Sequence, residues 1–446
     1  WRLILLNNYY NSVKQKTWSL KHIEERKVNK IVQDLQISDF LARIICTRDI
    51  AIDEVEDFIE PSLKKNLPSP LLIKDMAIAV ERISKAFINK EKIAIFGDYD
   101  VDGATSSAVL YKSFKKFGIE PTIYIPDRQK EGYGPNEKAL KSLKDKGISL
   151  VITVDCGITA FNELDYAKKI NLDIIVVDHH VPEAKLPYAL ALVNPNRIDD
   201  ATNLGMLAAV GVSFMLVGAL KNKLINIGFI KKENSINLSS ILDLVALGTV
   251  CDVVPLVGPN RAFVKHGLKV MSKRQNTGIN ALFEISNVED FPNVFHAGFV
   301  LGPRINAGGR VGESDLGAKL LTTDDINYAK KISIHLNILN EERKKLESDV
   351  LEESKKMAEN YDDNSILVLS GKNWHPGVIG IVASRIVEQY NKPTIIIAKN
   401  GDNSKGSGRS ISGIDIGSII TTAKQSGILE NGGGHPMACA LTINED

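Results

Sequence analysis

Short apolar runs alternate with longer amphipathic stretches through the middle of this chain. Three of the runs, at 93–96, 150–154 and 173–177, consist almost entirely of β-branched and other apolar residues. Runs of this kind, separated by helical patterns, predict parallel strands of βαβ units that are buried on both faces. We therefore expect an α/β fold with a parallel sheet in this part of the chain.

Helical patterns follow, and a second α/β pattern begins in the last quarter of the chain. A long charged segment at 323–361 carries apolar residues at helical spacing and predicts a connecting helix that is broken near Asn340. Beyond it, apolar runs at 366–369 and 394–397 predict strands, and the pattern at 378–390 predicts a helix between them.

These patterns divide the chain into four parts. We expect a helical N-terminal extension at 1–76 that packs on an α/β domain at 77–291, the part of the chain that carries the candidate metal-binding residues. A connecting segment with a long helix at 292–362 and a smaller α/β domain at 363–446 would follow. The apolar segment 204–220 lies at the lower limit of membrane-spanning length and is interrupted by three glycines and a serine. It predicts a buried core helix.

Residues that can bind a metal ion follow each predicted strand of the first domain. They are Asp98, Asp100 and Asp102 after the first strand, Asp155 after the second, Asp178, His179 and His180 after the third, and Asp252 after a helical stretch at 239–247. Ligands collect at the carboxyl ends of parallel strands, so these side chains are expected to meet at one edge of the sheet. Crowded carboxylates repel each other, and a hard divalent ion relieves that repulsion. Singly, such residues are more often helix caps, turns or buried polar pairs, but their convergence predicts a metal centre.

Composition agrees with a globular enzyme of two or three domains. The chain has 446 residues, of which 44% are apolar and 24% are charged, and its formal net charge is +1. This balance argues against a uniformly basic nucleic-acid binder, so affinity for a polyanion must come from local clusters and from metals. The four cysteines are scattered and form no CxxC pair, which excludes a disulfide framework or structural zinc site and suits a reducing cytoplasm. The apolar start at 1–6 is too short for the core of a signal sequence, and no membrane attachment is expected.

Several motifs together resemble those of the DHH phosphoesterases, and in particular the RecJ-type branch of that family. The motifs lie at 97–103, 154–157, 178–180 (Asp-His-His), 194–196 (Asn-Pro-Asn), 248–256, 302–310, 374–380, 407–410 and 432–435 (Gly-Gly-Gly-His). The resemblance implies a nuclease that removes nucleotides from the 5′ end of single-stranded DNA in repair and recombination. It also implies single-strand-binding protein and a helicase as partners. Members of this branch continue into an OB-fold, which we expect to be absent from this chain.

The resemblance further implies a centre with two divalent ions. Asp155 would bridge the ions, with Asp98 and Asp100 on one side and Asp102, His179 and Asp252 on the other. Mixed carboxylate and imidazole ligation favours Mn²⁺, with Mg²⁺ as the alternative. Two such ions can bridge a phosphate and support in-line displacement without a protein nucleophile.

Residues that adjoin the candidate ligands have roles other than metal binding, and some of these roles are open. Asp178 is expected to accept a hydrogen bond that orients an imidazole or a loop. His180 either touches the scissile phosphate as a donor or acid, or makes a structural hydrogen bond at the strand end. Cys156 and Cys251 adjoin ligands, but alternation along a strand makes them packing residues.

Substrate contacts are expected mainly from arginines and glycine-rich segments. Arginines present planar cations suited to phosphate, and glycines let backbone amides approach an anion. The candidates are Arg128, Arg304, Arg310, Ser407, Arg409 and His435, with Tyr133 as a surface on which a base could stack. By resemblance, Ser407 and Arg409 would hold the 5′-phosphate.

Two alternatives remain at this stage. One is a small-substrate DHH phosphoesterase that acts on oligoribonucleotides or cyclic dinucleotides, and the other is a catalytically silent nucleic-acid scaffold. The N-terminal extension and the segment 304–310 favour the RecJ type over the first. The intact set of ligands argues against the second.

Overall fold

The structure is a computed structural model. It describes residues 9–11, 17–19, 21–48, 50–128, 130–361, 364–400 and 403–444, so the apolar start at 1–6 lies outside the described residues. Residues 1–68 together with 256–262 form one compact unit, and the remaining residues form a second.

The first unit is built from short helices and one hairpin. The antiparallel hairpin consists of β1 (Tyr9–Asn11) and β2 (Thr17–Ser19). The helices are α1 (Glu25–Leu35), α2 (Asp39–Cys46), α3 (Val55–Ile59) and α4 (Leu63–Asn66), with a 3₁₀ turn at Ile52–Glu54. Val28, Ile31, Ala42 and Val55 form the centre of their apolar core. The helical character predicted for this region is confirmed, and the hairpin was not predicted.

A fully parallel five-stranded sheet organises the first half of the second unit. Its strands are β3 (Ile93–Gly97), β4 (Thr122–Tyr124), β5 (Leu150–Val154), β6 (Asp173–Val177) and β7 (Ala191–Val193), in the order β4-β3-β5-β6-β7. The three predicted strands are confirmed as the adjacent central strands β3, β5 and β6. Because β3 and β5 are buried along their whole length, their sequences show no alternation of polar residues.

Helices cover this sheet and extend the domain beyond it. They are α5 (Met76–Ile88), α6 (Val101–Lys116), α7 (Glu137–Asp145), α8 (Phe161–Lys169), α9 (Ala209–Asn226), α10 (Leu242–Cys251), α11 (Gly258–Met271) and α12 (Thr277–Ile285), with 3₁₀ turns at Pro70–Leu72, Lys232–Asn234 and Leu238–Ile241. The core helix predicted within 204–220 is confirmed, since α9 is buried along most of its length. Among the described residues, one stretch, Lys232–Cys251, is long and apolar enough to cross a membrane, but core helices meet the same criterion and 56% of it is buried.

Close contact between α6 and α10 depends on a glycine. A Cβ atom on Gly248 would lie 2.3 Å from Oγ1 of Thr105 and 3.0 Å from Oδ1 of Asp102. Any larger residue would therefore force the two helices apart. The close approach places the end of α10, and Asp252 after it, beside the start of α6.

A helical connector links the two halves of the second unit. It contains a π-helical turn (His296–Leu301), α13 (Gly302–Val311), α14 (Leu316–Thr322), the long α15 (Ile326–Ala358) and a 3₁₀ turn (Glu359–Tyr361). The predicted break near Asn340 is wrong, because α15 is continuous there. Asn340 is only 1% exposed, and its side-chain oxygen accepts a hydrogen bond from Nη2 of Arg343 at 3.0 Å, so it does not compete for the helix backbone.

The second half carries a mixed five-stranded sheet. Its elements are β8 (Leu367–Lys372), α16 (Ile379–Tyr390), β9 (Thr394–Lys399), β10 (Ser404–Arg409), α17 (Ile416–Gln425), β11 (Asn431–His435) and β12 (Ala438–Ile443), with the strand order β11-β12-β10-β9-β8. Strands β8 and β9 are parallel, and the other pairs are antiparallel. The predicted strands β8 and β9 and the helix between them are confirmed. The glycine-rich strands β10 and β11 were not predicted.

Candidate metal centre

The carboxyl edge of the parallel sheet gathers the acidic and imidazole side chains predicted from the sequence. Asp98 directly follows β3, Asp155 directly follows β5, and His179 lies two residues beyond β6. Three overlapping groups of ligand atoms result, and within each group the atoms lie within 4.8 Å of one another. The groups are Asp98, Asp100 and Asp155; Asp102, His179 and Asp252; and Asp155, His179 and His180.

The first group is held by the turn between β3 and α6. Asp100 caps α6 by accepting a hydrogen bond from the amide of Gly103 at 3.0 Å. A Cβ atom on Gly103 would lie 2.4 Å from the carbonyl oxygen of Asp98, so only glycine allows this tight turn. Asp98 and Asp155 are 4% and 2% exposed. The turn thus directs closely spaced carboxylates into a site almost closed to solvent.

The second group joins three different elements around one imidazole. Nε2 of His179 lies 3.4 Å from Oδ1 of Asp155, 3.6 Å from Oδ2 of Asp252 and 3.8 Å from Oδ2 of Asp102. Asp102 also accepts hydrogen bonds from the amides of Ala209 and Val210, at 2.7 and 2.9 Å. These amides belong to the first turn of α9, where the helix dipole favours a negative charge.

Asp178 holds the two neighbouring histidines by hydrogen bonds. It is fully buried, and its Oδ1 accepts hydrogen bonds from the amide of His179 at 2.7 Å and from Nδ1 of His180 at 2.7 Å. Its Oδ2 accepts from the amide of Ile158 at 3.1 Å. The predicted orienting role of Asp178 is confirmed. The hydrogen bond expected for His180 at the strand end is present. His180 also lines the cavity over the ligands, and its contact with a scissile phosphate stays a prediction.

Three further residues support this edge without offering a ligand. Asn194 donates to the carbonyl of His180 at 2.8 Å, and Asn196 donates to the carbonyl of His179. The hydroxyl of Tyr133 donates to the carbonyl of Asp155 at 2.8 Å. Asn194 and Asn196 belong to a motif that the sequence analysis noted without assigning a role. Tyr133 was expected to stack a base, and its hydrogen bond was not foreseen.

Burial and mutual repulsion together disfavour ionisation of the clustered carboxyl groups. Burial is the main cause of the strongly raised pKa values of Asp98, Asp102 and Asp155, and neighbouring carboxylates raise them further. The same causes raise the pKa of Asp252 to about 7. Such a cluster is costly without a cation and becomes favourable when one is bound.

The two histidines differ in protonation. Burial, reinforced by the charge of His180, lowers the pKa of His179 to about 4, which leaves the neutral imidazole that metals bind. Burial also disfavours protonation of His180, but the hydrogen bond and charge of Asp178 outweigh it and raise the pKa of His180 to about 9. The same hydrogen bond keeps the pKa of Asp178 low against the effect of burial.

The donor set fits divalent ions of the Mn²⁺ and Mg²⁺ type. Oδ1 of Asp98, Oδ1 of Asp155 and Oδ2 of Asp252 are buried without a hydrogen-bond partner among the described residues. A buried carboxylate oxygen without a donor is unfavourable, and a cation at this edge would satisfy all three. Oxygen ligands with one neutral imidazole suit Mn²⁺ and Mg²⁺ better than a thiolate-preferring metal.

A cavity of about 240 Å³ is lined by several of these ligands and also by arginine side chains. Arg128 and Arg310 line it, together with Tyr99 and Asn306. The guanidinium of Arg128 lies 5.0 Å from the centroid of the Tyr99 ring. The lining of the cavity therefore contains both carboxylates, which can hold metal ions, and arginines, which suit the phosphate of a phosphodiester.

Two predicted substrate residues lie elsewhere. Arg304 donates to the carbonyl of Val300 and to the side chain of Asn337, at 2.7 and 3.0 Å, and does not line the cavity. His435 lines a separate hollow with Asp415 and the start of α17. The structure thus does not bring either residue to the metal centre.

Ser407 and Arg409 meet on strand β10, beside the first turn of α16. Nη1 of Arg409 donates to Oγ of Ser407 at 3.3 Å. A Cβ atom on Gly380 would lie 3.0 Å from Oγ of Ser407 and 3.3 Å from Nη2 of Arg409, so the helix backbone approaches both side chains. Nη1 of Arg310 donates to the carbonyl of Gly377, at 3.1 Å, in the loop that leads into α16. This contact connects the cavity to the pair on β10.

The cysteines beside the ligands are packing residues, as predicted. Cys156 is fully buried within the apolar core of the parallel sheet. Sγ of Cys251 lies 3.4 Å from the carbonyl oxygen of Ala297 and packs against the π-helical turn.

Two family models match this chain. The model of the DHH family, N-terminal domain, matches residues 92–249, and that of the DHHA1 domain matches residues 363–446. The first match contains the parallel sheet and the ligands up to His180. The second contains the mixed sheet with Ser407 and Arg409.

Curated relatives and solved structures agree with these matches. The single-stranded-DNA-specific exonuclease RecJ of Bacillus subtilis (strain 168) is 35% identical over 433 residues, which is 96% of this chain and 53% of that protein. RecJ of Escherichia coli (strain K12) is 36% identical over 402 residues, covering 87% of this chain and 69% of that protein. The chain thus spans between about half and about two thirds of the length of these relatives.

The crystal structure of RecJ in complex with Mn²⁺ from Thermus thermophilus has a TM-score of 0.80 at 29% identity and covers 96% of this chain and 59% of that chain. The complex of RecJ with Mg²⁺ from the same organism has a TM-score of 0.73 at 27% identity and covers 96% and 57%. The fold, the ligand edge and these likenesses lead to one conclusion: the chain belongs to the DHH family and, within it, to the RecJ exonucleases.

Proposed function

We propose that this chain hydrolyses single-stranded DNA from its 5′ end with two divalent metal ions. The observation that carries the proposal is the convergence of five aspartates and His179 at one sheet edge, with three of their buried oxygens left without a donor among the described residues. The names of its RecJ relatives, which are single-stranded-DNA-specific exonucleases, support the substrate class.

The ligand roles belong to this proposal. Asp98, Asp100 and Asp155 would hold one ion, and Asp102, His179, Asp252 and Asp155 would hold the other, with Mn²⁺ favoured over Mg²⁺. When bound, such ions supply a water-derived nucleophile at neutral pH and stabilise charge on the phosphate oxygens. The side chains of the protein therefore need to position the phosphate and to supply one proton to an oxygen of the phosphodiester.

His180 is the residue best placed to manage that proton. Asp178 accepts from its Nδ1, so Nε2 is the ring nitrogen available to the cavity. A proton on Nε2 can hydrogen-bond a phosphate oxygen or pass to the departing oxygen of the broken ester. Asn194 holds the backbone of His180 through its carbonyl, and the hydrogen bond from Nδ1 to Asp178 fixes the orientation of the ring.

Arginines at two places would set the direction in which the DNA strand binds. Arg128 and Arg310 would contact phosphates next to the metals, while Ser407, Arg409 and the first turn of α16 would hold the terminal 5′-phosphate. A helix N-terminus with an arginine and a hydroxyl is well suited to a terminal phosphate dianion. Arg304 and His435, which lie away from the metal cavity, would contact more distant nucleotides.

The surrounding biology is part of the same proposal. We place the protein in the cytoplasm, with single-stranded DNA as substrate and with single-strand-binding protein and a helicase as partners. The division into 1–76, 77–291, 292–362 and 363–446 assigns metal chemistry to the second part and recognition of the 5′ end to the fourth.

Labelled strands test this proposal directly. With Mn²⁺, a 5′-labelled single strand should lose its label at once as short products, while a 3′-labelled strand should shorten gradually. A chelator should abolish both reactions, and renewed Mn²⁺ should restore them. A duplex of the same sequence and a short RNA serve as comparison substrates.

Other outcomes would favour the alternatives. Faster hydrolysis of the short RNA or of a cyclic dinucleotide than of DNA would indicate a small-substrate phosphoesterase. Binding of the strand without hydrolysis, in the presence of saturating Mn²⁺, would indicate a silent scaffold.

A further inference from the structure

An exposed apolar surface begins at the residue after the candidate ligand Asp252. Val253 is 85% exposed, Phe299 on the neighbouring π-helical turn is 72% exposed, and Phe295, directly before that turn, is 58% exposed. The two phenylalanine rings stack on each other with centroids 5.5 Å apart and an angle of 19° between their planes. We name Val253, Phe295 and Phe299 the aromatic lip.

Direct contacts hold the aromatic lip beside the metal centre. Sγ of Cys251, one residue before Asp252, contacts the carbonyl oxygen of Ala297 at 3.4 Å. A Cβ atom on Gly298 would lie 3.4 Å from Cγ1 of Val250. The end of α10 therefore packs on the π-helical turn, and the lip is continuous with the ligand edge.

The backbone at the lip is itself unusual. Val253 has φ of +59°, a conformation that a β-branched residue rarely adopts. Phe299 lies on a π-helical turn, and such turns occur frequently at functional sites. Strained backbone that presents an exposed apolar side chain next to a metal ligand indicates a contact surface for a ligand.

The π-helical turn continues directly into α13, and this continuity fixes where Phe299 would lie along a bound DNA strand. Asn306, seven residues after Phe299, lines the metal cavity, and Arg310 at the far end contacts the loop before α16. Phe299 and Arg310 are about 16 Å apart along this helix at 1.5 Å per residue. A strand held at Ser407 and Arg409 would thus pass the metals before it reaches the lip.

We propose that the aromatic lip stacks the bases on the 3′ side of the scissile phosphate. Flat, exposed, paired rings suit nucleobases, and stacking of this kind is independent of sequence. The inference rests on the proposed exonuclease function, which supplies the single strand and its direction. It gives the enzyme a means of gripping unpaired bases, because bases within a duplex have their faces covered.

Abasic substrates test this assignment. The measurement is kcat/KM with Mn²⁺ for 5′-phosphorylated strands in which one base is removed, the gap being moved nucleotide by nucleotide from the 5′ end. For the wild type we expect one or two positions at which the gap lowers kcat/KM about ten- to hundredfold. Phe299→Ala and Phe295→Ala should show that loss on the intact strand and no further loss at those positions. Phe299→Leu, which keeps apolar area without a flat ring, should recover only part.

The matched control is Tyr188→Ala. Tyr188 is half-exposed and lies beside Asp173 and Ile174 at the opposite edge of the parallel sheet. It should retain wild-type kcat/KM and the same gap profile. Circular dichroism and thermal melting confirm that every variant is folded.

Distinct outcomes would overturn the inference. Wild-type kcat/KM of the Phe variants on intact strands, or an unchanged gap profile, would remove the lip from the substrate path while leaving the exonuclease function in place. Altered mass of Phe299→Ala in light scattering, with unchanged kcat/KM, would assign the lip to self-association. If the wild type degrades no single strand, the proposed function and this inference fail together.

Discussion

Among single residues, Asp155 is a candidate ligand that is both buried and shared between ligand groups. It is 2% exposed, has φ of +62° and belongs to two of the three ligand groups. Asparagine tolerates the same backbone conformation, so Asp155→Asn removes the charge with little strain. We expect at least about a hundredfold loss of nuclease rate, since a metal role contributes several kcal/mol.

The same variant should be more stable than the wild type when metal is removed. One of the mutually repelling buried carboxylates is then gone, which is worth on the order of 1 kcal/mol. Urea unfolding in chelator measures this, with the exposed Asp165→Asn as control. Retention of more than a tenth of the wild-type rate, or a loss of stability, would contradict the role given to Asp155.

Tyr99 is a second residue whose role comes from geometry. Its ring lies under the guanidinium of Arg128 and packs against Gly309, whose Cβ position is 3.1 Å from the Tyr99 side chain. Tyr99→Leu should release Arg128 and raise KM about two- to thirtyfold, the range of a cation–π contact, with little change in kcat. Tyr99→Phe keeps the ring and should restore KM. Equal loss in both variants, or a change in Mn²⁺ affinity, would point instead to disturbance of the flanking ligands Asp98 and Asp100.

The sequence predicts residues that act through their own side-chain chemistry. Asp98, Asp155 and His179 follow strands and carry metal-binding groups, so their convergence could be foreseen. Asn196 and Tyr133 act by donating to backbone carbonyls of other residues. Such contacts depend on the folded path of the chain and leave no signal in residue type.

Helices and strands are predictable from sequence where a single interaction, such as burial in the core, determines their residues. Strands β3, β5 and β6 are buried on both faces and are therefore continuous apolar runs. The edge strands β4 and β7 have three residues each, too few to show a pattern. Strand β11 consists largely of glycine, which has low strand propensity, and is formed through its pairing with β12.

Helix α10 contains a buried acid that lies outside the metal centre. Asp243 is 3% exposed, and burial raises its pKa to about 6. Because the folded state favours the neutral acid, the unfolded chain ionises first as pH rises. Stability from this group is complete below about pH 4 and is lost as the pH rises through about 6. Asp243→Asn should consequently unfold at higher denaturant above pH 6, by about 1–3 kcal/mol, and match the wild type near pH 4.

Chemical denaturation at several pH values in chelator checks this prediction. Chelator keeps metal binding from contributing its own pH dependence. The exposed Asp165→Asn should change stability little at any pH. A destabilised Asp243→Asn at pH 7 would show that the carboxylate is ionised there and held by an interaction stronger than its burial cost.

At the scale of the whole molecule, the two α/β halves and the long helix between them were predictable, and the direct contact between the halves was not. Apolar runs mark the strands of both halves, and the charged helical pattern marks α15 between them. The contact that joins the cavity to the second half runs from Arg310 to the carbonyl of Gly377. A Cβ atom on Gly377 would lie 2.3 Å from the carbonyl oxygen of Arg310, so the contact requires glycine at this position. The glycine is visible in the sequence, but its partner in the other half is known only from the fold.

Under the proposed function, recognition of the strand end and cleavage would lie on different halves. Arg409 and Ser407 lie on the mixed sheet, while the carboxylates lie on the parallel sheet. Burial lowers the pKa of Arg409, and the positive charge of Arg128 lowers it further. A phosphate anion placed between two neighbouring arginines reduces their mutual repulsion and accepts hydrogen bonds from both.

Arg409→Ala should therefore weaken recognition of the 5′-phosphate and leave the metal centre intact. The lost charge-assisted hydrogen bond is worth roughly 1.5–3 kcal/mol, or about ten- to hundredfold in kcat/KM for 5′-phosphorylated strands. Strands with a 5′-hydroxyl cannot use this contact, so their kcat/KM and the Mn²⁺ affinity should change little. Arg385→Ala is the matched control, because Arg385 is an exposed arginine on α16 that pairs with Glu347 and Glu388. If the ratio of kcat/KM between the two ends is the same in Arg409→Ala and in the wild type, Arg409 does not read the phosphate and the second half has another task.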